Sequence, residues 1–174
     1  MSEPIKLVGF CGSLRAGSLN RMALNVFAKH LPAGVSLSTI EIGDWPLYNA
    51  DVQAKGFPAA VQAAQQLMLA ADGVVFASPE YNYSITGALK NAIDWASREK
   101  QGTPQCFTDK PVAIMGASMG GIATARMQYH LRQVFVFLDA RVLTKPEVMI
   151  GQVQTKVDAS GRLTDEATRG VMKT

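Results

Sequence analysis

Residues 5–20 read IKLVGFCGSLRAGSLN, and their order decides the fold. The apolar run Ile5–Cys11 shows no polar alternation, so it reads as a strand buried on both faces. A loop rich in glycine and serine follows, and then Ala23, Val26 and Phe27 mark one face of a helix. A buried strand, a loop and an amphipathic helix in succession form the first half of a βαβ unit.

The same rhythm repeats outward along the chain. Residues 35–42 carry Val35, Leu37, Ile40 and Ile42 and read as a second strand. Residues 43–58, with Pro46, Asn49 and Gly56, read as a long surface loop, which in a compact domain tends to serve function. Val61, Ala64, Met68 and Ala71 have helical spacing, and residues 74–78 form a short third strand between Asp72-Gly73 and Pro79. Leu89, Ala92, Ile93 and Ala96 fall at i, i+3, i+4 and i+7, the clearest amphipathic helix in the chain. Residues 111–117 predict a fourth strand, Leu131, Val134, Phe135 and Leu138 a fourth helix, residues 141–143 a short fifth strand and residues 163–171 a last short helix. Five such strands fit a flavodoxin-like, doubly wound parallel α/β sheet of order 2-1-3-4-5, in which ligands sit beyond the carboxyl ends of the strands.

Composition agrees with one domain over residues 1–174. Hydrophobic residues make up 48% and charged residues 18%, which excludes a disordered chain, collagen and a coiled coil. No apolar run approaches the roughly 18 residues of a membrane span. The opening MSEPIKLVGFCG lacks the basic region and long apolar stretch of a secretory signal, so a cytoplasmic location is expected. Cys11 and Cys106 lie far apart in sequence and read as ordinary thiols. The net charge of +3 comes from scattered residues, which argues against nucleic acid and mildly favours small anions.

Three loops should meet at the carboxyl edge of this sheet. The first, from Gly12 to Asn20, opens a helix, where unpaired N–H groups and partial positive charge bind phosphate. Ser13, Ser18 and Asn20 can add donors and Arg15 a cation, while Gly12 and Gly17 let the backbone curl. The plainer alternative is that Ser18 only caps the helix and Arg15 is solvated. The second loop, Pro79-Glu80-Tyr81-Asn82-Tyr83-Ser84-Ile85-Thr86-Gly87, offers aromatic and amide groups suited to a flat heteroaromatic ring, or else forms a rigid turn whose tyrosines pack locally. Lys90 and Asp94 beyond it read as an exposed helix pair. The third loop, Gly116-Ala117-Ser118-Met119-Gly120-Gly121, permits close approach of backbone to ligand.

Other phosphate chemistries fail on spacing. Gly12 to Gly17 matches a P-loop until Ser18 stands where lysine is required, and Gly9-Phe10-Cys11-Gly12 does not supply the G-x-G-x-x-G of a dinucleotide fold. A low-molecular-weight tyrosine phosphatase needs C-x5-R, but Arg15 follows Cys11 by four places, so Cys11 reads as a core residue.

GSLRAGSLN, SPEYNYSITGALKNAIDW and ASMGG, in this order, resemble the NADPH-dependent FMN reductase family, and within it the bacterial chromate and quinone reductase branch. The resemblance spans essentially the whole chain. It implies that Ser13, Arg15, Ser18, Leu19 and Asn20 hold the FMN phosphate, that Pro79, Glu80, Tyr81 and Asn82 line the isoalloxazine ring, and that Ser118, Met119, Gly120 and Gly121 close around it. Thr86 stands where the family usually has proline, which leaves helix capping intact but bears on loop stiffness, and the carboxyl end is short. The family's homodimers and homotetramers imply a flavin shared with a neighbour, with Arg126, Tyr129 and Glu147 reaching across the interface or else forming a solvated helix face.

The implied activity is reduction of small acceptors such as quinones or chromate by NADPH or NADH. Flavin supplies the redox chemistry, so no protein nucleophile or base is needed, and His30 and His130 read as surface or packing residues. Hydride transfer to the flavin, departure of the nicotinamide and entry of the acceptor at the same face imply ping-pong kinetics. The alternatives are a flavodoxin-type carrier without nicotinamide turnover, disfavoured by the basic charge, and a phosphate-binding module without flavin.

Overall fold

A computed structural model describes residues 3–99, 102 and 104–173. Strand β1 (Ile5–Cys11) leads into α1 (Leu19–Lys29) and β2 (Val35–Ile40). Helices α2 (Ala50–Lys55) and α3 (Ala59–Ala70) precede β3 (Gly73–Ala77), and α4 (Gly87–Ala96) precedes β4 (Pro111–Ala117). Helix α5 (Ala125–Phe137), strands β5 (Arg141–Val142) and β6 (Val148–Ile150), and α6 (Glu166–Val171) complete the chain. The strand order is β2-β1-β3-β4-β5, as the sequence predicts, and every pairing is parallel.

The sheet has six strands rather than five. β5 pairs only with Pro111 and Val112 of β4, and β6 continues along the same edge from Met115 to Ala117. One long strand is thus flanked by two short ones. Within residues 43–58 the chain forms α2, whose start is capped by Asn49 accepting from the Asp51 N–H, so this segment is not wholly a loop. β2 stops at Ile40, and the last helix begins at Glu166 because Asp165 caps it and Leu163 bridges back to Val157 instead.

The core forms on both sheet faces because β3 is buried at every position. Val74 and Phe76 point to the face covered by α3, α4 and α5, where Phe10 stacks on Phe76 at 5.1 Å and Phe135 meets it at 5.0 Å. Val75 and Ala77 point to the other face, with Leu24 of α1 and Met172 just beyond α6. Each large side chain buried here contributes about 1.5–3 kcal/mol, so the strands are fixed in place and their tips become rigid mounts. Gly12 and Gly116 stand at two of those tips, and a Cβ on either would collide with Ser78 at the third. The three loops therefore start from strands packed backbone against backbone.

Candidate functional site

The loop after β1 is held at its neck by its own residues. Cys11 is buried, and its thiol donates to the Ser13 carbonyl at 3.5 Å and lies 3.7 Å from Ser18 Oγ. Ser18 caps α1 by accepting from the Arg21 N–H at 3.1 Å. Between these anchors no main-chain N–H from Ser13 through Asn20 has an acceptor among the described residues. Arg15 is exposed beside them and forms no ion pair there. A row of unpaired donors, a helix N-terminus and a cation make a receptor for one phosphate group. Gly17 has open space around its Cβ direction and no left-handed torsion, whereas Gly12 is required by the close approach of Ser78.

Asn20 is turned away from this loop. Its side-chain amide donates to the Ala117 carbonyl at 3.0 Å and its Oδ1 accepts from the Ala117 N–H at 2.8 Å, so it ties α1 to the end of β4. Only 3% of it is exposed. Its side chain thus bridges the first and third loops, while its main-chain N–H stays in the row of unpaired donors.

The second loop is stapled to α5 by a buried carboxylate. The Glu80 side chain pairs with the Arg126 guanidinium and accepts from the Met127 N–H at 3.1 Å. Arg126 also lies 3.7 Å above the Tyr83 ring, and the Glu80 hydrogen bond holds its pKa above the ordinary arginine value. Within the chain Arg126 is engaged by Glu80 and Tyr83, and the Glu147 side chain beside Tyr129 raises the pKa of that phenol. With its carboxylate facing α5, Glu80 offers the cleft only its main chain. The N–H groups of Glu80 and Asn82 lack acceptors among the described residues, as do those of Met119 and Gly121 in the third loop.

Tyr81 and Ser84 exchange main-chain hydrogen bonds at 3.0 Å around Asn82 and Tyr83, both left-handed at φ 51° and 67°. This tight turn aims the half-exposed Tyr81 ring back toward the first loop, where Gly12, Leu14, Arg15, Tyr81, Thr86 and Gly87 line a cleft of about 370 Å3. Thr86 fixes the far wall: its hydroxyl caps α4 by accepting from the Leu89 N–H at 3.1 Å and donates to the Gly12 carbonyl at 2.7 Å. Asn91 and Trp95, two residues with no role assigned from sequence, tie the segment around residues 46–48 to α4. Asn91 accepts from the Tyr48 N–H at 2.7 Å, and both side chains donate to the Pro46 carbonyl. Their shared face on α4 was visible in the sequence; their partners, more than 40 residues away, were not. Lys90 and Asp94 form the expected exposed pair at 2.8 Å.

The third loop lies across from these two. Ser118 donates its N–H to Ile150 of β6, and Gly151 packs beneath Gly120 and Gly121. The loop then makes a turn before α5 begins at Ala125, so it does not open the helix directly. Met119 and Ile122 stay exposed at its tip. The site thus offers a phosphate receptor, a shallow wall with unpaired amide donors, and exposed Tyr81 and Met119 as apolar surfaces. These chemistries fit the phosphate, the polar rim and the flat ring of a flavin mononucleotide.

The family model described as NADPH-dependent FMN reductase matches residues 5–155. An NAD(P)H-dependent FMN reductase of Pseudomonas aeruginosa is 52% identical over 99% of this chain and 92% of its own. A quinone reductase of Escherichia coli strain K12 is 50% identical over 97% of this chain and 89% of its own. Among solved structures, a flavoenzyme NAD(P)H:(acceptor) oxidoreductase from Paracoccus denitrificans superimposes with a TM-score of 0.86 at 32% identity, covering 97% of this chain and 91% of that one.

Proposed function

This chain belongs to the NADPH-dependent FMN reductase family, and from that premise we propose that it is a ping-pong NAD(P)H oxidoreductase whose acceptors are quinones and chromate. The observation that carries the reading is the convergence of three strand tips around a row of unpaired N–H groups from Ser13 to Asn20 beside Arg15. FMN, when bound, supplies the redox chemistry by taking hydride from the nicotinamide and passing electrons to the acceptor.

The residues of the chain bind and orient. Ser13, Arg15, Ser18 and Leu19 form the phosphate receptor, and Asn20 holds that receptor against β4. Pro79, Glu80, Tyr81 and Asn82 would hold the ring through their main chain and the Tyr81 side chain, and Ser118, Met119, Gly120 and Gly121 would close around it. Neither side of the cleft is roofed, because Tyr81, Tyr83, Met119 and Ile122 are all exposed. An open face of that kind accepts first a nicotinamide and then an acceptor at the same place, which is the structural requirement for ping-pong turnover.

A second copy of the chain fits beside this opening. On α5, Tyr129, Val136 and Phe137 face solvent, the last with 86% of its surface exposed. The same proposal makes the chain one FMN-binding unit that works as a homodimer or homotetramer. No helix among the described residues is long and apolar enough to cross a membrane, and the free thiols of Cys11 and Cys106 suit the reducing cytoplasm where we place the enzyme.

The test is an absorbance spectrum of the flavin-loaded protein under anaerobic conditions, followed by steady-state kinetics. Bleaching of the flavin band by NADPH or NADH alone, and parallel double-reciprocal lines with benzoquinone, are expected. Dichromate should then reoxidise the reduced protein. Converging lines would overturn the single-face mechanism, and a colourless protein that takes up no FMN would overturn the whole reading.

A further inference from the structure

His130 lies on the outer side of α5, one turn beyond Arg126, and its Nδ1 is 2.7 Å from Ser84 Oγ. Ser84 closes the tight turn that contains Asn82 and Tyr83. A left-handed torsion is unusual for any residue with a Cβ and costs most for a bulky one, so Tyr83 at φ 67° must be held by its surroundings. Two contacts from α5 hold it: the guanidinium of Arg126 above the Tyr83 ring, and the His130 imidazole on the next side chain.

We propose that His130 is a positioning residue for the flavin ring, acting through Ser84 to lock the Tyr81–Ser84 turn whose neighbouring main-chain donors meet the ring edge. The inference rests on the flavin reading above. Glu80 fixes the entry of the loop to α5 and His130 fixes its exit, so the unpaired N–H groups of Glu80 and Asn82 stand between two anchors on one rigid helix. The serine hydroxyl donates to a neutral Nδ1 or accepts from a protonated one, so the latch holds in either state of the ring. It needs a polar atom at the Nδ1 position and nothing at Nε2.

That geometry sets the test, made with the full chain. An asparagine side chain places its amide near the Nδ1 position, whereas glutamine reaches toward Nε2. Ser84→Ala and His130→Gln should each weaken FMN binding about three- to tenfold, the range of one hydrogen bond. They should weaken riboflavin by the same factor, because the phosphate is not involved. The double variant should be no weaker than the worse single variant, His130→Asn should stay within about twofold of the wild type, and the visible circular dichroism of the bound flavin should change only in the weakened variants.

Additive losses in the double variant, equal behaviour of His130→Asn and His130→Gln, or an unchanged flavin dichroism in all variants would overturn the proposal. Hydrogen exchange at the Tyr81 and Ser84 amides of the flavin-free protein, which donate to each other's carbonyls across the turn, separates this from failure of the flavin reading. Exchange should speed up about tenfold in Ser84→Ala and His130→Gln and not in His130→Asn. If the wild type bound no FMN, the functional reading would fall and the exchange data would still decide the latch: exchange equal to wild type in all variants would refute it.

Discussion

Thr86 performs two tasks with one hydroxyl, capping α4 and donating to the Gly12 carbonyl at the base of the phosphate loop. A proline there could do neither. Replacing Thr86 with Val removes a cap and strands a buried carbonyl, so the unfolding free energy in urea should fall by about 2 kcal/mol, whereas Thr86→Ser should lose little. Arg15 has a narrower role. Arg15→Ala should weaken FMN about tenfold or more while leaving riboflavin unchanged in a fluorescence titration, because only the phosphate meets the guanidinium. Equal loss for both ligands would place Arg15 against the ring instead. Cys106 tests the core: burial pushes its thiol from an ordinary value near 9 up to about 11, only partly opposed by the Lys110 charge. Its folded pKa is raised, so the unfolded chain gives up this proton first. The stability it contributes is full below about pH 9 and lost as pH rises toward 11. Denaturant unfolding of Cys106→Ala should lack that part of the alkaline slope. At this scale the row of unpaired N–H groups in the first loop was legible because it is local to nine residues. Asn20 and Glu80 were not, since their side chains find partners 97 and 47 residues away, where no spacing rule reaches.

At the scale of elements, α5 is the beam on which the loop after β3 hangs. Its inner face, with Met127, Leu131 and Phe135, is fully buried, and its outer face carries Tyr129, Val136 and Phe137. If the second copy proposed above seats on this outer face, its exposed Phe137 lies in the contact. Phe137→Glu should therefore lower the mass found by light scattering without changing the far-ultraviolet spectrum, and an unchanged mass would move the interface elsewhere. Arg126→Ala is the less direct probe, because it releases Glu80 and Tyr83 before it affects any neighbour. β1, β3 and α4 could be read from sequence because each carries its own pattern: two continuous apolar runs and one unbroken i, i+3, i+4, i+7 series. β6 could not, since three residues are too few for a period and its place is set by the free half of β4. α2 was hidden for a similar reason: six residues with none buried leave no apolar stripe to detect.

Over the whole molecule, alternation implied buried parallel strands joined by crossovers of one hand, and five such strands fit the order 2-1-3-4-5 that the sheet shows. What alternation could not convey is how the three tips are tied. Ser78 packs against both Gly12 and Gly116, Thr86 joins the second loop to the first, and Asn20 joins the first to the end of β4. The loops are thus braced at their roots, yet the N–H groups at their tips remain unpaired. A ligand that engages all three adds cross-links the apoprotein lacks, and it binds the folded chain alone. At a free FMN concentration 100 times its dissociation constant the folded state should gain about 2.7 kcal/mol. For a chain of this length that corresponds to a rise of about 5–10 °C in Tm. The rise should follow the logarithm of FMN concentration. In Asn20→Ala the apoprotein should melt earlier, because two buried hydrogen bonds are lost, but the increment on adding saturating FMN should persist if Asn20 braces the loops without touching the phosphate. Loss of that increment together with the phosphate-dependent part of binding would instead make Asn20 a direct ligand.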